Sequence, residues 1–328
     1  MVNYIILTNG TQWCNNCWKS AVNDNVRFIN KAVPYTGNSF VNSLCYSHYR
    51  FHFKSIRLLP LTFIWHDNFI KTLNIDKDNN TVLIIYDWCF LSKDLRFLKK
   101  IKKKCPRLYI VYLFSNIVKV SGARLYGLLD HLQEYFDVVF AFDHEDEKKY
   151  GFNFNPLIYT PPVKLPEWSN NLRYDLFYLG EAKDRYNKLI EIYEKARGEG
   201  LKCNFTIAGV PKENRVYADE INYERISYPR ALEIMAESKC IVDAIQGGST
   251  ALTIKTCEAV VLGRKLITTN KNILGESFYK ENNIMVYNQG SSLKSFMEKP
   301  MEEYTESDKQ FFSPQGLFNK IERILGLQ

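Results

Sequence analysis

The sequence predicts an α/β protein of two doubly wound, parallel-sheet domains, and three observations carry that prediction. Short apolar, β-rich runs alternate with amphipathic segments along nearly the whole chain, the pattern of βαβ units with helices on both sheet faces. The 328 residues suit about two domains of roughly 100–200 residues each. Near the midpoint lies Thr160-Pro-Pro-Val-Lys-Leu-Pro-Glu167, whose prolines forbid a helix or central strand and mark a stiff connector. The expected division is therefore residues 1–160, a connector over 161–170, and residues 171–328, with the last helix packing back on the first domain. Ligands of such sheets bind beyond the carboxyl ends of the strands, so the active site is expected in a cleft between the two domains.

In the first half the strand candidates are Tyr4–Thr8, Thr81–Asp87, Leu108–Phe114 and Val138–Phe142, with a helix predicted over Lys93–Lys104. Each strand ends in polar or turn residues. The second half begins with strand Leu176–Leu179, helix Asp184–Gly198 and strand Asn204–Ala208. It continues with helix Pro229–Ser238, strand Cys240–Ala244, helix Leu252–Leu262 and strand Lys265–Thr268. The halves share architecture without a strict sequence repeat.

Composition excludes several classes. An apolar content of 46% with 24% charged residues rules out disordered and low-complexity chains. No run of about 20 apolar residues is present, so no membrane span is expected. Met1–Leu7 has no basic region ahead of an apolar core, so no secretory signal is read there and a cytoplasmic location is expected. The net charge of +7 is uneven: residues 1–160 hold 20 Lys and Arg against 13 Asp and Glu, and residues 161–328 hold 23 of each. The basic half is expected to face something anionic. Eight cysteines are too few for a disulfide scaffold. The single C-x-x-C, Cys14 and Cys17, lacks a second ligand pair for zinc and is read as ordinary helix-start cysteines rather than a redox motif.

The richest stretch for chemistry runs from Cys240 to Thr269 as strand, glycine loop, helix, glycine turn and strand. Gly247 and Gly248 allow close backbone approach to a ligand, and Ser249, Thr250 and Thr253 are candidate caps of the helix that follows. The free N–H groups of that helix's first turn suit a phosphate or diphosphate, and Lys255 adds a charge. Glu258 follows just after the first turn of a helix whose remaining face is apolar. A carboxylate there either favours the helix dipole or, with a diphosphate in the loop, accepts both hydroxyls of a ribose.

The segment Cys257–Thr269, Cys-Glu-Ala-Val-Val-Leu-Gly-Arg-Lys-Leu-Ile-Thr-Thr, resembles the E-A-x-x-x-G-[KR]-x-[LIV]-[IV]-[TA] segment of GT-B glycosyltransferases. Lys265–Asn270 with Phe278-Tyr279 and Asn283-Ile284, Tyr174–Tyr186, and Phe142–Gly151 are similar to the bacterial capsule, exopolysaccharide and lipopolysaccharide members. The resemblance covers about residues 135–290 and implies a GT-B fold of two Rossmann-like domains facing a central cleft. It further implies sugar transfer from a nucleotide-sugar, UDP-linked in the first instance, to a surface polysaccharide or lipid-linked oligosaccharide. Glu258 would then bind the donor ribose and the preceding loop its phosphates. Retaining members carry a further Glu seven residues before the ribose Glu; this sequence has Ala251 there. Gln246, Ser249 and Thr250 are the alternative contacts to the transferred sugar.

On the donor side, Gly180, Lys183 and Arg185 follow the first strand of the second domain, and the two cations would offset charge on a leaving diphosphate without a metal. No obligatory metal or other cofactor is expected beside the nucleotide-sugar. In the first domain, Asp87 ends an apolar strand at its carboxyl edge and is the first candidate for general base, with His144 second. Gly10 and Thr11 form the expected acceptor-side loop. The lysines of Lys93–Lys104 are either a solvated helix face or an attraction to anionic lipid, which would dock a polyprenyl-diphosphate-linked acceptor at the inner face of the plasma membrane. Two other readings compete. One is a metal-dependent GT-A enzyme using Asp76-Lys-Asp78 as its D-x-D, which reads equally as a turn. The other is a non-catalytic nucleotide-sugar or nucleic-acid binder, for which no nucleic-acid motif is present.

Overall fold

The computed structural model describes residues 2–8, 12–29, 40–41, 43–44, 47–48, 72–76, 78–86, 95–118, 128–161, 172–247 and 249–328. The chain divides into two compact units, Met1–Thr160 with Ser313–Gln328, and Pro161–Phe312. The proline-rich connector beyond Pro161 lies outside the described residues.

The first unit holds β1 (Val2–Leu7), α1 (Gln12–Cys17), β2 (Val26–Ile29), β3 (Asn80–Tyr86), α2 (Arg96–Lys104), β4 (Leu108–Leu113), β5 (Val138–Ala141), α3 (His144–Tyr150) and β6 (Asn153–Phe154). Among the described residues its six strands are all parallel, in the order β2-β1-β3-β4-β5-β6. β3 and β5 are buried almost throughout, as strands covered on both faces must be. Four of these strands match the runs expected from sequence to within two residues. The other two, β2 and β6, are four and two residues long and carry exposed Arg27 and Asn153, so neither shows an apolar run. In α2, Leu98 and Ile101 are buried, while Lys99 pairs with Glu134 and Lys102 with Asp137. Lys103 and Lys104 are exposed. Cys17 of the C-x-x-C is buried at the end of α1.

The second unit holds β7 (Tyr174–Glu181), α4 (Tyr186–Gly198), β8 (Cys203–Ala208), α5 (Tyr228–Ala236), β9 (Ser238–Asp243), α6 (Ile254–Val261), β10 (Lys265–Thr268), β11 (Ile284–Val286), α7 (Leu293–Glu298) and α8 (Glu306–Gln310). Its parallel sheet has the order β11-β10-β9-β7-β8. One sheet face, with Leu176, Tyr178, Phe205, Ile207, Cys240 and Val242, packs against Leu189 and Ile192 of α4. The helix expected over Asp184–Gly198 starts instead as a one-turn 3₁₀ segment, Lys183–Arg185, in which Lys183 has φ 45°. The helix expected over Leu252–Leu262 is shorter, because Thr253 caps it: the Thr253 hydroxyl accepts from the Lys255 N–H at 3.1 Å.

The last helix, α9 (Pro314–Leu325), belongs to the first unit. Phe318 stacks on Tyr4 at 3.9 Å between ring centroids, and the Tyr4 hydroxyl donates to Glu322 Oε1 at 2.7 Å. Among the described residues no helix is long and apolar enough to cross a membrane.

Both sheets share one winding. The first strand of each unit is flanked by the second on one side and the third on the other, so the chain reverses its direction of travel between β1 and β3, and again between β7 and β9. In open α/β sheets the crevice for a ligand opens at this point, beyond the carboxyl ends.

Candidate functional site

At the carboxyl ends of β7 and β9 the second unit gathers most of the residues expected on the donor side. The 3₁₀ turn after β7 and the loop after β9 are bonded by three consecutive side chains. Lys183 Nζ donates to Gln246 Oε1 at 3.2 Å, Asp184 Oδ2 accepts from Gly247 N–H at 2.9 Å, and Arg185 Nη1 donates to the Ala244 carbonyl at 2.8 Å. Arg185 also grips the Glu181 carbonyl through Nε and Nη2. Lys183 and Arg185 therefore lie against the glycine loop, held by protein acceptors. Gly248 lies outside the described residues.

Asp243, the last residue of β9, anchors the helix that follows. It is buried, and Oδ2 accepts from the hydroxyls of Thr253 at 2.9 Å and Thr256 at 3.3 Å. Its other oxygen, Oδ1, is buried with no hydrogen-bond partner among the described residues. Burial raises the Asp243 pKa, and the nearby Lys255 ammonium opposes that rise. Thr253 thus acts twice, as cap of α6 and as donor to Asp243. Of the three candidate caps only Thr253 serves. Ser249 Oγ accepts from Ala251 N–H at 3.3 Å instead, and the Thr250 carbonyl accepts from the Asn270 side chain at 3.1 Å.

Glu258 lies one turn further along α6 and is buried. Its Oε1 accepts from the Tyr228 hydroxyl at 2.8 Å, and Oε2 makes no hydrogen bond among the described residues. Tyr228 is positioned by the start of α5, where Ser227 caps the helix and Pro229 fills its first turn. Burial pushes the Glu258 carboxyl up to about 7, against the pull of the Tyr228 hydrogen bond and the Lys255 charge. A carboxylate so poised has an oxygen left to accept hydroxyl donors. Lys255, two residues after the cap, carries an ammonium whose pKa burial lowers while Asp243 and Glu258 support it.

Glu181, the last residue of β7, pairs through Oε1 with Arg225 at 2.8 Å. Gly209 faces the same carboxylate: with φ 78° it has no side chain, and a Cβ there would lie 2.5 Å from Glu181 Oε2. Tyr228, Asp243 and the Glu181–Arg225 pair are site residues not singled out from sequence. Asp243 was legible, since it ends an apolar strand ahead of a glycine loop.

In the first unit, Gly10, Thr11 and Asp87 lie outside the described residues. His144 opens α3 after β5. Its Nδ1 lies 2.7 Å from Glu147 Oε2, and its ring stacks on Phe154 at 3.6 Å. Asp143 is the N-cap of α3, accepting from Glu145 N–H at 2.8 Å, and Asp146 accepts from Val118 N–H at 2.7 Å. The acidic pair Asp76 and Asp78 forms a turn ahead of β3, at the amino end of the sheet. Asp76 accepts from Asp78 N–H and from the Asn79 amide, both at 2.8 Å. Among the described residues no cluster of His, Cys, Asp or Glu is arranged to hold a metal ion.

No protein-family model matches the chain, and no curated protein does. Solved structures do. A glycosyltransferase involved in avilamycin A biosynthesis matches over 99% of this chain and 98% of its own, at 10% identity and a TM-score of 0.50. The glycosyltransferase SnogD from Streptomyces nogalater matches over 99% of both chains, at 12% identity and a TM-score of 0.44. A kitacinnamycin glycotransferase covers 99% of this chain and 98% of its own, at 9% identity and a TM-score of 0.44. At such identities likeness is one of fold, and the first of the three joins the two doubly wound parallel sheets in one conclusion: the chain has the GT-B fold.

Proposed function

We propose that the protein is a glycosyltransferase that moves a sugar from a nucleotide-sugar, UDP-linked in the first instance, to a surface polysaccharide or lipid-linked oligosaccharide. The observation that carries this reading is the convergence, where β7 and β9 part, of the capped N-terminus of α6, the Lys255 ammonium and the Tyr228-held carboxylate of Glu258. Helix N–H groups and a lysine suit the diphosphate, and Glu258 Oε2 suits a ribose hydroxyl. The GT-B neighbours support the same reading, and two of the solved structures with this fold are described as bound to ADP with acarbose and to UDP-2-fluoro-glucose with pterostilbene.

In the proposed transfer the diphosphate leaves with the bonding electrons of its link to the sugar, while the acceptor hydroxyl attacks the same carbon and gives up its proton. Lys183, Arg185 and Lys255 offset the charge on the leaving group, so no obligatory metal enters. The proton goes to a base, for which Asp87 is the first candidate and His144, its ring held by Glu147, the second. Acceptors of the capsule or lipopolysaccharide kind, linked to polyprenyl diphosphate, fit the sequence resemblance and the exposed Lys103 and Lys104 of α2, which would touch anionic lipid at the inner membrane face.

The test is a thermal-shift panel of UDP-, GDP-, CMP- and dTDP-sugars. A ligand at about 100 times its Kd adds about 2.7 kcal/mol, which reads as a clear rise in Tm. One nucleotide family is expected to shift the melt, with UDP-sugars first. A panel without any shift overturns the function. A shift without turnover of any acceptor favours a non-catalytic nucleotide-sugar binder.

A further inference from the structure

Lys255 is unusual among the cations of this site. Lys183 and Arg185 are held by hydrogen bonds to protein oxygens. The Lys255 ammonium has no hydrogen bond, and no carboxylate lies within 4.0 Å of it among the described residues. Asp243 and Glu258 act on it only at longer range. What it does touch is aromatic: Nζ lies 5.1 Å from the ring centroid of Tyr178, within the range of a cation–π contact.

The position of that ring is fixed by the strand. Tyr178 and Gly180 are two apart on β7, so they share a sheet face. Tyr178 is fully buried, its hydroxyl directed at the Glu181 carbonyl 3.4 Å away, and burial pushes its pKa up to about 12, so it stays neutral. A Cβ at Gly180 would lie 2.7 Å from the Tyr178 hydroxyl and 3.5 Å from Lys255 Nζ. The missing side chain of Gly180 therefore leaves the space that the ring edge and the ammonium occupy. Tyr178 and Gly180 of β7 thus hold the Lys255 ammonium, which makes no hydrogen bond to protein among the described residues, at the end of β7 beside the N-terminus of α6.

Resting on the nucleotide-sugar reading above, we propose that Tyr178 is a positioning residue for Lys255, and that the pair makes the site select a nucleoside diphosphate over the corresponding monophosphate. The helix N-terminus offers N–H groups and a positive dipole end to a phosphate. The ammonium, desolvated against the ring and with no carboxylate within 4.0 Å among the described residues, supplies the charge that a second phosphate needs. Glu258 and Asp243 repel an anion, so Lys255 is also what lets a diphosphate lie beside them.

The experiment is calorimetric titration of UDP and UMP, with GDP and GMP in parallel, on the full chain and four variants. The quantity read is the ratio of diphosphate to monophosphate affinity, which a purely structural role would not move. Lys255→Met is expected to lower that ratio by about 10- to 100-fold, the loss of a charged hydrogen bond, with monophosphate binding kept within about twofold. Tyr178→Leu, which removes the ring, is expected to lower it by about three- to tenfold, and the conservative Tyr178→Phe is expected to restore it. Gly180→Ala pushes the ring aside and is expected to copy Tyr178→Leu, which keeps the test decisive if the leucine variant does not fold. Diphosphate binding whose ratio is unchanged in Lys255→Met overturns the inference alone. A Tyr178→Phe variant as poor as Tyr178→Leu overturns the role of the ring. A wild-type chain that binds neither diphosphate overturns the nucleotide reading and this inference with it.

Discussion

The two sheets are wound in the same order, and the side chains described at their carboxyl ends are put to different uses. In the second unit, β7 and β9 end in side chains that bond to one another: Asp243 to the α6 cap, residues 183–185 to the glycine loop, and Tyr228 to Glu258. In the first unit, the titratable residues described at carboxyl ends sit after β5 instead, two strands from the reversal, where His144, Asp143 and Asp146 serve the start of α3. Topology alone therefore provides a crevice in each sheet, while a ligand site requires that burial and partners be arranged around it. These bonds support the proposed donor site on the second unit.

The largest expected effect lies on the donor side. In the proposed donor complex, Glu258→Ala removes two hydrogen bonds that the carboxylate would accept from ribose hydroxyls, each worth about 1.5–3 kcal/mol. The corresponding fall in kcat/KM is about 10²- to 10⁴-fold, measured with the sugar nucleotide found by the panel. His144→Ala, in the first unit, is expected to lower kcat with the donor KM kept. A variant of Glu258 with wild-type activity breaks the assignment of the donor to the second unit.

The next effect is one of pH. The Glu258 carboxyl is raised from its ordinary value of 4.5 to about 7 in the folded protein, so the native state keeps a proton that the unfolded chain has released. The stability this supplies is fully present below about pH 4.5 and is lost as pH rises to about 7. Its size is on the order of 3 kcal/mol. Urea denaturation at pH 4.5 and pH 8 is expected to show this fall in wild type and not in Glu258→Gln. Nucleotide affinity runs the other way, rising over the same window, because ribose hydroxyls donate to the ionised form. A Glu258→Gln variant with the wild-type pH profile would refute the buried titration.

A matched pair of aspartates sharpens the comparison between units. Asp243→Ala frees the hydroxyls of Thr253 and Thr256 inside the protein and is expected to cost about 2 kcal/mol and to weaken nucleotide binding. Asp143→Ala removes an N-cap in the other unit and is expected to cost about 1 kcal/mol with nucleotide binding intact. Equal effects of both on nucleotide affinity would remove the distinction.

How the sequence discloses such features is uneven for physical reasons. Buried parallel strands announce themselves as unbroken apolar runs, which is why β3, β4, β5 and β10 are found within about a residue of their ends. The short β2 and β6 are made strands by their neighbours alone. The glycine loop and Glu258 were legible because helix N-termini, glycines and a carboxylate beside an apolar face form a local pattern. Tyr228 was not: its partner is 30 residues away, and nothing local says where its hydroxyl points. Asp243 shows a different gap. Asp243 shares with Asp87 the pattern of a carboxylate at the end of an apolar strand, but its bonds to Thr253 and Thr256 form only once α6 packs behind β9. Tyr178 reads in sequence as a core aromatic, and its second face toward Lys255 exists only once β7 and α6 are packed.

A smaller effect concerns the basic surface of the first unit. Of the α2 lysines, Lys99 and Lys102 are drawn to Glu134 and Asp137, while Lys103 and Lys104 are exposed. The double change Lys103→Ala, Lys104→Ala is expected to weaken binding to anionic vesicles by about 1 kcal/mol per residue and to leave neutral vesicles and nucleotide binding alone. Unchanged vesicle binding in a sedimentation assay would return this helix face to plain solvation.

The smallest expected effect is none, and it concerns the two ends of one sheet. Asp76 and Asp78 precede β3 at the amino end of the first sheet, and the Asp76 carboxylate is already used, one oxygen by the Asp78 N–H and the other by the Asn79 amide. A D-x-D that coordinates a metal needs those oxygens facing a donor diphosphate, and the proposed diphosphate cations are Lys183, Arg185 and Lys255 of the other unit. Transfer is therefore expected to persist in EDTA and in Asp76→Ala, with changes below about twofold, well under 1 kcal/mol. Loss of activity in EDTA that manganese restores, together with loss in Asp76→Ala, would move the donor site to the first unit and reverse the comparison. Loss in EDTA alone, with Asp76→Ala fully active, would place a required metal elsewhere and leave the two-unit division standing.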